Sequence, residues 1–337
     1  MSPLDFAVYD DRLDRLVTLD VGNRGVEPLF QAARAHLGRS PVGAAADALL
    51  AAPKGGLAIL TTGSVSRAWL TPELGENDGP SGAAAVARAL VLARRVTPVV
   101  VIEETLMAPM AAVLRASGLA VVDLDAARRA SQDGSMACVV LQTFPVEDGA
   151  GETAAHDMLD ALSPDVMFST ERVGRNVNGI YYNMGGRDYG MGRARVDLVF
   201  DQGMVRGVPV VAVGDGGNEI GMGLVAEAVQ RSVPHGATGD CPCGGGIGAV
   251  SRADVLVTAA VSNWGCTAIC AAMALRTGDP GLFHTPTMEA RLLEVMTANG
   301  LINSADGLID PHVDGIRDTT HIAVAEMAEA IVRKAIL

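Results

Sequence analysis

The chain has 337 residues, 49% hydrophobic and 19% charged, which is enough apolar material for a large buried core and excludes intrinsic disorder. Acidic residues number 39 against 26 Lys plus Arg, for a formal net charge of −13, and no basic run exceeds Arg94-Arg95 or Arg128-Arg129, so a nucleic-acid-coating surface is disfavoured. The lysines are Lys54, in a Pro-Lys-Gly-Gly turn, and Lys334 near the C-terminal end, which argues against a buried Schiff-base lysine for pyridoxal phosphate.

Residues 1–15 are acidic and polar and lack the basic start and apolar run of a signal or transit peptide. Residues 1–19 are expected to form an N-terminal extension, and 20–337 a single α/β domain. Apolar runs of strand length follow at 57–61, 98–102, 120–124, 138–142, 166–169, 209–213 and 255–261. Between most of them, Ala, Leu, Val and Met recur at helical spacing over 81–95, 107–117, 154–162, 195–205, 220–231, 266–276 and 287–299. This alternation predicts a Rossmann-like α/β fold, a mostly parallel sheet with helices on both faces. The uncharged run 255–275 has the length of a membrane span, but Ser262-Asn263-Trp264-Gly265 breaks it with turn residues. It therefore reads as strand, turn and buried helix, and no membrane association is expected. The loosest segments are expected at 147–153 and at the Gly- and Pro-rich 232–248, the latter as a lid. Five cysteines without a secretory signal read as free thiols in the cytoplasm.

In such sheets, functional residues gather beyond the carboxyl ends of the strands, and the unusual polar residues fall there. Thr61-Thr62-Gly63, Glu103-Glu104, Thr170-Glu171-Arg172, Gly214 to Glu219 and Ser262 to Gly265 each close an apolar run. The segment Gly214-Asp215-Gly216-Gly217-Asn218-Glu219 lacks both the dinucleotide fingerprint and the Gly-Lys-Ser/Thr end of a phosphate loop. Asp215, Asn218 and Glu219 instead offer hard oxygen donors suited to Mg²⁺, Mn²⁺ or Ca²⁺, although a plain Gly-rich turn has the same composition. Glu76 and Asp78, in Glu-Asn-Asp-Gly-Pro, either complete that metal site or form an ordinary turn before a helix. Within 171–186, Arg172 and Arg175 have the fork that binds carboxylate or phosphate, and Glu171 suits a base or a metal ligand. The histidines show no paired zinc spacing. Cys241, Cys243, Cys266 and Cys270 would supply four thiolates, but the last two lie on a helix expected to be buried, where cysteine more commonly packs as a small apolar residue.

Glu76-Asn-Asp-Gly-Pro with its Ala-rich helix, the run Glu171-Arg-Val-Gly-Arg-Asn-Val-Asn-Gly-Ile-Tyr-Tyr-Asn-Met, Gly214-Asp-Gly-Gly-Asn-Glu-Ile-Gly-Met-Gly and Ser262-Asn-Trp-Gly resemble the D-glutamate cyclase family, in its order and over residues 20–330. The resemblance implies a lyase that closes D-glutamate to 5-oxo-D-proline with loss of water. The chain departs from the family pattern at Asn77, Gly185 and Cys266, where Thr, Arg and Gly are usual, and Arg187 stands two residues from the missing arginine.

Lactam closure needs an uncharged amine and a stabilised oxyanion, which a base and a divalent cation would supply. The expectation is therefore a metal-assisted site. Glu171, Asp215 and Glu219 are the expected catalytic residues, with Glu171 as base. Glu76, Asp78, Asp215, Asn218 and Glu219 surround Mn²⁺, Mg²⁺ or Ca²⁺. Arg172, Arg175 and Asn183 grip the α-carboxylate of an amino-acid substrate, while Thr62, Gly63, Ser262 and Asn263 position it. Metal-dependent hydrolysis of a small cyclic amide, and metabolite binding without turnover, are the competing readings. A homodimer is expected from the prevalence of twofold oligomers alone.

Overall fold

The computed structural model describes residues 5–147, 149–237 and 243–336. Seven strands, β1 Leu57–Thr61, β2 Thr97–Ile102, β3 Ala120–Val121, β4 Cys138–Thr143, β5 Val166–Thr170, β6 Val210–Gly214 and β7 Val255–Thr258, form one sheet in the order β3-β4-β2-β1-β5-β6-β7. Every pairing is parallel, with Leu60 opposite Val100 on one side of β1 and opposite Phe168 on the other. The apolar runs are continuous because the central strands are covered on both faces. Ala58, Leu60, Val100, Val166, Phe168, Val211 and Val257 point into one core, and Leu57, Ile59, Val99, Val101, Met167, Val210 and Leu256 into the other.

The first core is closed by α1 Phe6–Val17, α3 Pro41–Leu50, α4 Pro80–Arg94, α5 Met107–Ala116, α10 Ser262–Thr277, α11 Pro286–Ala298 and α12 Asp318–Ile336. The second is closed by α2 Val26–Leu37, α6 Leu124–Asp133, α7 Gly151–Leu162, α8 Asp197–Val205 and α9 Ala226–Ser232. This is the expected Rossmann-like α/β arrangement. The segment expected as an N-terminal extension, 1–19, contains α1, whose Leu13 and Val17 are fully buried and whose Val17 carbonyl accepts from Ala260 N–H at 2.8 Å. No helix among the described residues is long and apolar enough to cross a membrane.

Several boundaries differ from the sequence pattern for local reasons. The run 120–124 yields only two strand residues, because Asp123 accepts Ala126 N–H at 2.8 Å and caps α6. The helix expected over 220–231 begins only at Ala226, after Gly221 at φ +100° and a 3-10 turn. Conversely, Ser262-Asn263-Trp264-Gly265 is the first turn of α10, not a loop before it. Gly265 is needed there because a Cβ would stand 2.6 Å from Val213 Cγ1 on the sheet.

The chain lays down β2, β3 and β4 on one side of β1 and then restarts with β5 on the other, so the order reverses between β1 and β5. Connections leaving these two strands diverge, which opens a crevice at the carboxyl edge of the sheet.

Candidate active site

A cavity of about 380 Å³ is lined by residues from the segments that follow β1, β5 and β6 and from the turn at Asp314, and it includes Arg24, Arg67, Trp69, Glu76, Glu171, Asn183, Asn218 and Asp314. Its size suits a small metabolite. Carboxylates crowd one wall. Carboxylate oxygens of Asp78, Asp215 and Asp314 lie within 4.8 Å of one another, as do those of Glu171, Asp215 and Glu219.

Each carboxylate is placed by a different device. Asp78 Oδ1 accepts from the backbone N–H of Gly79 and Asn263, and its Oδ2 accepts from that of Ser262, so the start of α10 holds it. Glu76 accepts from Ser64 N–H at 2.9 Å and from the Ser304 hydroxyl at 3.1 Å. Glu171, left-handed at φ +56°, accepts from Ser262 Oγ at 2.5 Å. Glu219 accepts from three successive backbone N–H groups, those of Asp215, Gly216 and Gly217, at 2.7 to 2.8 Å. Asp215 Oδ1 receives Arg24 at 2.9 Å, whereas its buried Oδ2 has no hydrogen-bond partner among the described residues. The other arm of Arg24 pairs with Asp314.

Burial and mutual repulsion raise the proton affinity of Glu171, Asp78, Asp215 and Glu76. Burial, with Asp78, Glu219 and Glu76 nearby, lifts the Glu171 carboxyl well above its ordinary range. Burial also lifts Asp78 and Asp215, the latter despite the opposing charge of Arg24. Glu76 is pushed up to about 7, mainly by burial. Burial alone would weaken the hold of Arg24 on its proton, but Asp215 and Asp314 outweigh it and keep the guanidinium charged. The donor set fits a hard divalent cation, because convergent carboxylate oxygens, one of them orphaned, exceed the positive charge that touches them.

The expected site residues divide into those at the cavity and those beside it. Glu76, Glu171, Asn183 and Asn218 line it. Asp78, Asp215 and Glu219 join the carboxylate cluster, although Glu219 is already enclosed by its own turn, and Asn218 donates its amide to the Tyr182 carbonyl at 2.7 Å. Thr62 Oγ1 is buried and has no hydrogen-bond partner among the described residues. Gly63 permits close approach, since a Cβ there would meet the Asp78 carbonyl at 2.3 Å. Ser262 and Asn263 act on neighbouring protein groups: Asn263 Oδ1 accepts Gly79 and Gly82 N–H at 3.1 and 2.9 Å.

The two arginines expected to hold the substrate are engaged elsewhere. Arg172 is fully buried and forks onto both oxygens of Glu103 at 2.9 and 2.7 Å, with a further bond to the Ala194 carbonyl. Arg175 pairs with Asp197 and Asp201, each at 2.7 Å. Arg187 is exposed and stacks 4.8 Å above the Trp69 ring. The cations at the cavity are instead Arg24 and Arg67, which sequence reasoning missed, together with Asp314. Arg24 lies in the turn Gly22-Asn23-Arg24-Gly25 and Asp314 before Gly315, turn compositions that give the only local signal. Arg67 forms no ion pair among the described residues beyond a long contact to the Ser304 carbonyl at 3.4 Å.

The four-thiolate arrangement has no support among the described residues: Cys266 and Cys270 are buried within α10, Cys266 faces Thr170 Oγ1 at 3.3 Å, and Cys243 neighbours Tyr182. Cys241, like most of the middle of the expected lid, lies outside the described residues.

A family model described as D-glutamate cyclase-like, C-terminal, matches residues 13–328. The chain is also 26% identical over 349 aligned positions to the mitochondrial D-glutamate cyclase of Homo sapiens, an alignment covering 95% of this chain and 51% of that protein. It thus spans about half the length of that curated relative. With the match running from within α1 to within α12, the chain belongs to the D-glutamate cyclase-like family.

Proposed function

We propose that the chain is a lyase that closes D-glutamate, or a close amino-acid analogue, to 5-oxo-D-proline with loss of water. The observation that carries this reading is the pairing of opposites at one cavity: a cluster of carboxylates faces the guanidinium groups of Arg24 and Arg67. A substrate with two carboxylates and one ammonium matches that pattern, with its anionic groups toward the arginines and its ammonium toward Glu171.

The reaction forms one C–N bond and breaks one C–O bond at the side-chain carboxylate. The ammonium loses two protons in becoming an amide, and both leave on the departing water, so no net proton is released. Glu171 is the relay: its raised proton affinity makes it a competent base toward an ammonium, and the same carboxyl then returns the proton to the leaving oxygen. Ser262 holds one Glu171 oxygen in place. Arg67 grips the α-carboxylate, and Arg24, charged and half-buried, faces the carboxylate under attack and offsets the charge that grows on it. Asp78, Asp215 and Asp314 would hold a divalent cation, Mn²⁺ or Mg²⁺, which when bound supplies further polarisation of a carboxylate oxygen. Holding both ends of the substrate favours the folded conformer in which amine and carboxylate meet.

The test is proton NMR of the metal-stripped chain with D-glutamate, L-glutamate and both hands of 5-oxoproline, with and without added Mn²⁺ or Mg²⁺. Metal-dependent interconversion of the D pair is expected. Opening of other small cyclic amides with the D pair left untouched would transfer the assignment to a cyclic-amide hydrolase, and no turnover of any of these compounds would overturn both.

A further inference from the structure

α10 opens with three consecutive residues that hydrogen-bond in two directions, to Asp78 and to His321. The backbone N–H groups of Ser262 and Asn263 fix Asp78. The next side chain, Trp264, donates its indole N–H to His321 Nδ1 at 2.8 Å, the two rings meeting edge to face with centroids 5.7 Å apart. An indole nitrogen only donates, so His321 Nδ1 must accept, and the proton of the neutral ring resides on Nε2. That nitrogen lies 3.2 Å from the carbonyl oxygen of Ile316, to which it donates. The Ile316 carbonyl also receives Val313 N–H at 3.1 Å, and Ile316 N–H returns to Val313 at 2.9 Å. The four residues therefore close a tight turn whose central pair, Asp314 and Gly315, both have positive φ, +55° and +73°. Asp314, at the turn's tip, pairs with Arg24 and joins Asp78 and Asp215.

We propose that His321, locked as its Nε2–H tautomer between Trp264 and the Ile316 carbonyl, is the positioning residue that sets Asp314 against Arg24 and Asp215. Through it, one helix start fixes Asp78 directly and Asp314 at one remove, so the two carboxylates keep a constant spacing. A left-handed aspartate is strained unless its surroundings over-determine it, and the bond to Ile316 is the constraint that reaches this turn from α12. The catalytic consequence rests on the lactam-forming reading above, whereas the tautomer and the order of the turn do not.

The test uses the full chain. Long-range proton–nitrogen NMR at about pH 7 should show His321 with Nε2 protonated and Nδ1 bare; the opposite tautomer or a doubly protonated ring overturns the proposal. In His321→Phe, which keeps an aromatic ring but no hydrogen bond, amide exchange across 313–316 should quicken about tenfold while α10 and α12 stay protected, and unchanged exchange overturns it. For D-glutamate closure, His321→Phe should lower kcat/KM at least about tenfold, and adding Asp314→Asn should then cost less than about twofold more. Independent, multiplying losses overturn the proposal. His321→Gln, which can accept from Trp264 and donate to Ile316, should recover much of the loss. If the wild-type chain leaves D-glutamate untouched, the lactam reading fails alone, and the tautomer and exchange measurements decide this one.

Discussion

Ser262 Oγ donates to Glu171 Oε2 at 2.5 Å, joining the first residue of α10 to the residue that follows β5. The bond spans the carboxyl edge of the sheet and leaves the second oxygen of Glu171 for the cavity. Replacing that carboxyl by an amide, Glu171→Gln, keeps the hydrogen bond and removes the base. We expect kcat for D-glutamate closure to fall about 10²- to 10⁴-fold with little change in KM, measured by NMR of lactam formation. Full activity in this variant would remove Glu171 from the reaction.

Arg67 lines the cavity and has no carboxylate partner among the described residues. Arg67→Ala should raise KM roughly tenfold or more, the cost of one charge-assisted contact of about 1.5–3 kcal/mol. Arg67→Lys should recover only part, since an ammonium cannot present two parallel N–H groups to a carboxylate. Equal KM in wild type and Arg67→Ala would assign the α-carboxylate to another group.

Arg172 and Glu103 form a sealed pair, 0% and 1% exposed, and the prediction for them concerns stability. Glu103→Gln or Arg172→Met alone leaves one charge buried without its counterpart and should cost about 3–5 kcal/mol in urea unfolding. The double variant should be more stable than either single one. Additive losses would mean that the two residues do not act as a pair.

Burial raises Asp14, 1% exposed, to about 6 from an ordinary 3.8, although bonds from Ser40 and Val42 and the charge of Arg34 oppose the shift. The folded chain therefore binds this proton more tightly than the unfolded chain does. The resulting stabilisation is fully present below pH 3.8 and is lost as pH rises through about 6. Its size is at most about 3 kcal/mol, from about 1.4 kcal/mol per pKa unit. Asp14→Asn should flatten the difference curve across that window, and unfolding free energies compared at several pH values would show it. A parallel pair of curves would assign the proton elsewhere.

The parts legible in the sequence are those with a one-dimensional signature. The strands at 57–61, 98–102 and 166–169 stand out because burial on both faces leaves an unbroken apolar run, and the strand ends then point to Glu76, Glu171 and Asp215 as a group. The fold class follows from the same alternation. What stayed hidden depends on partners distant in the chain. Arg172 looks like a ligand-binding arginine until Glu103, 69 residues away, occupies its fork. Arg24 meets Asp215 across 191 positions and Asp314 across 290, so no local pattern marks it. α1 was invisible as core because its mean hydropathy is low, yet one stripe bearing Leu13 and Val17 is enough to bury it.

Glu219 fills a concave row of backbone N–H groups at Asp215, Gly216 and Gly217. In other α/β proteins such a row is the receptor for a ligand's phosphate. Here Glu219 already accepts from all three N–H groups, so a nucleotide or sugar phosphate entering the crevice finds those donors taken by a tethered competitor. With its donors tied to Glu219, the turn is organised by its own residues and presents Asp215 to the carboxylate cluster.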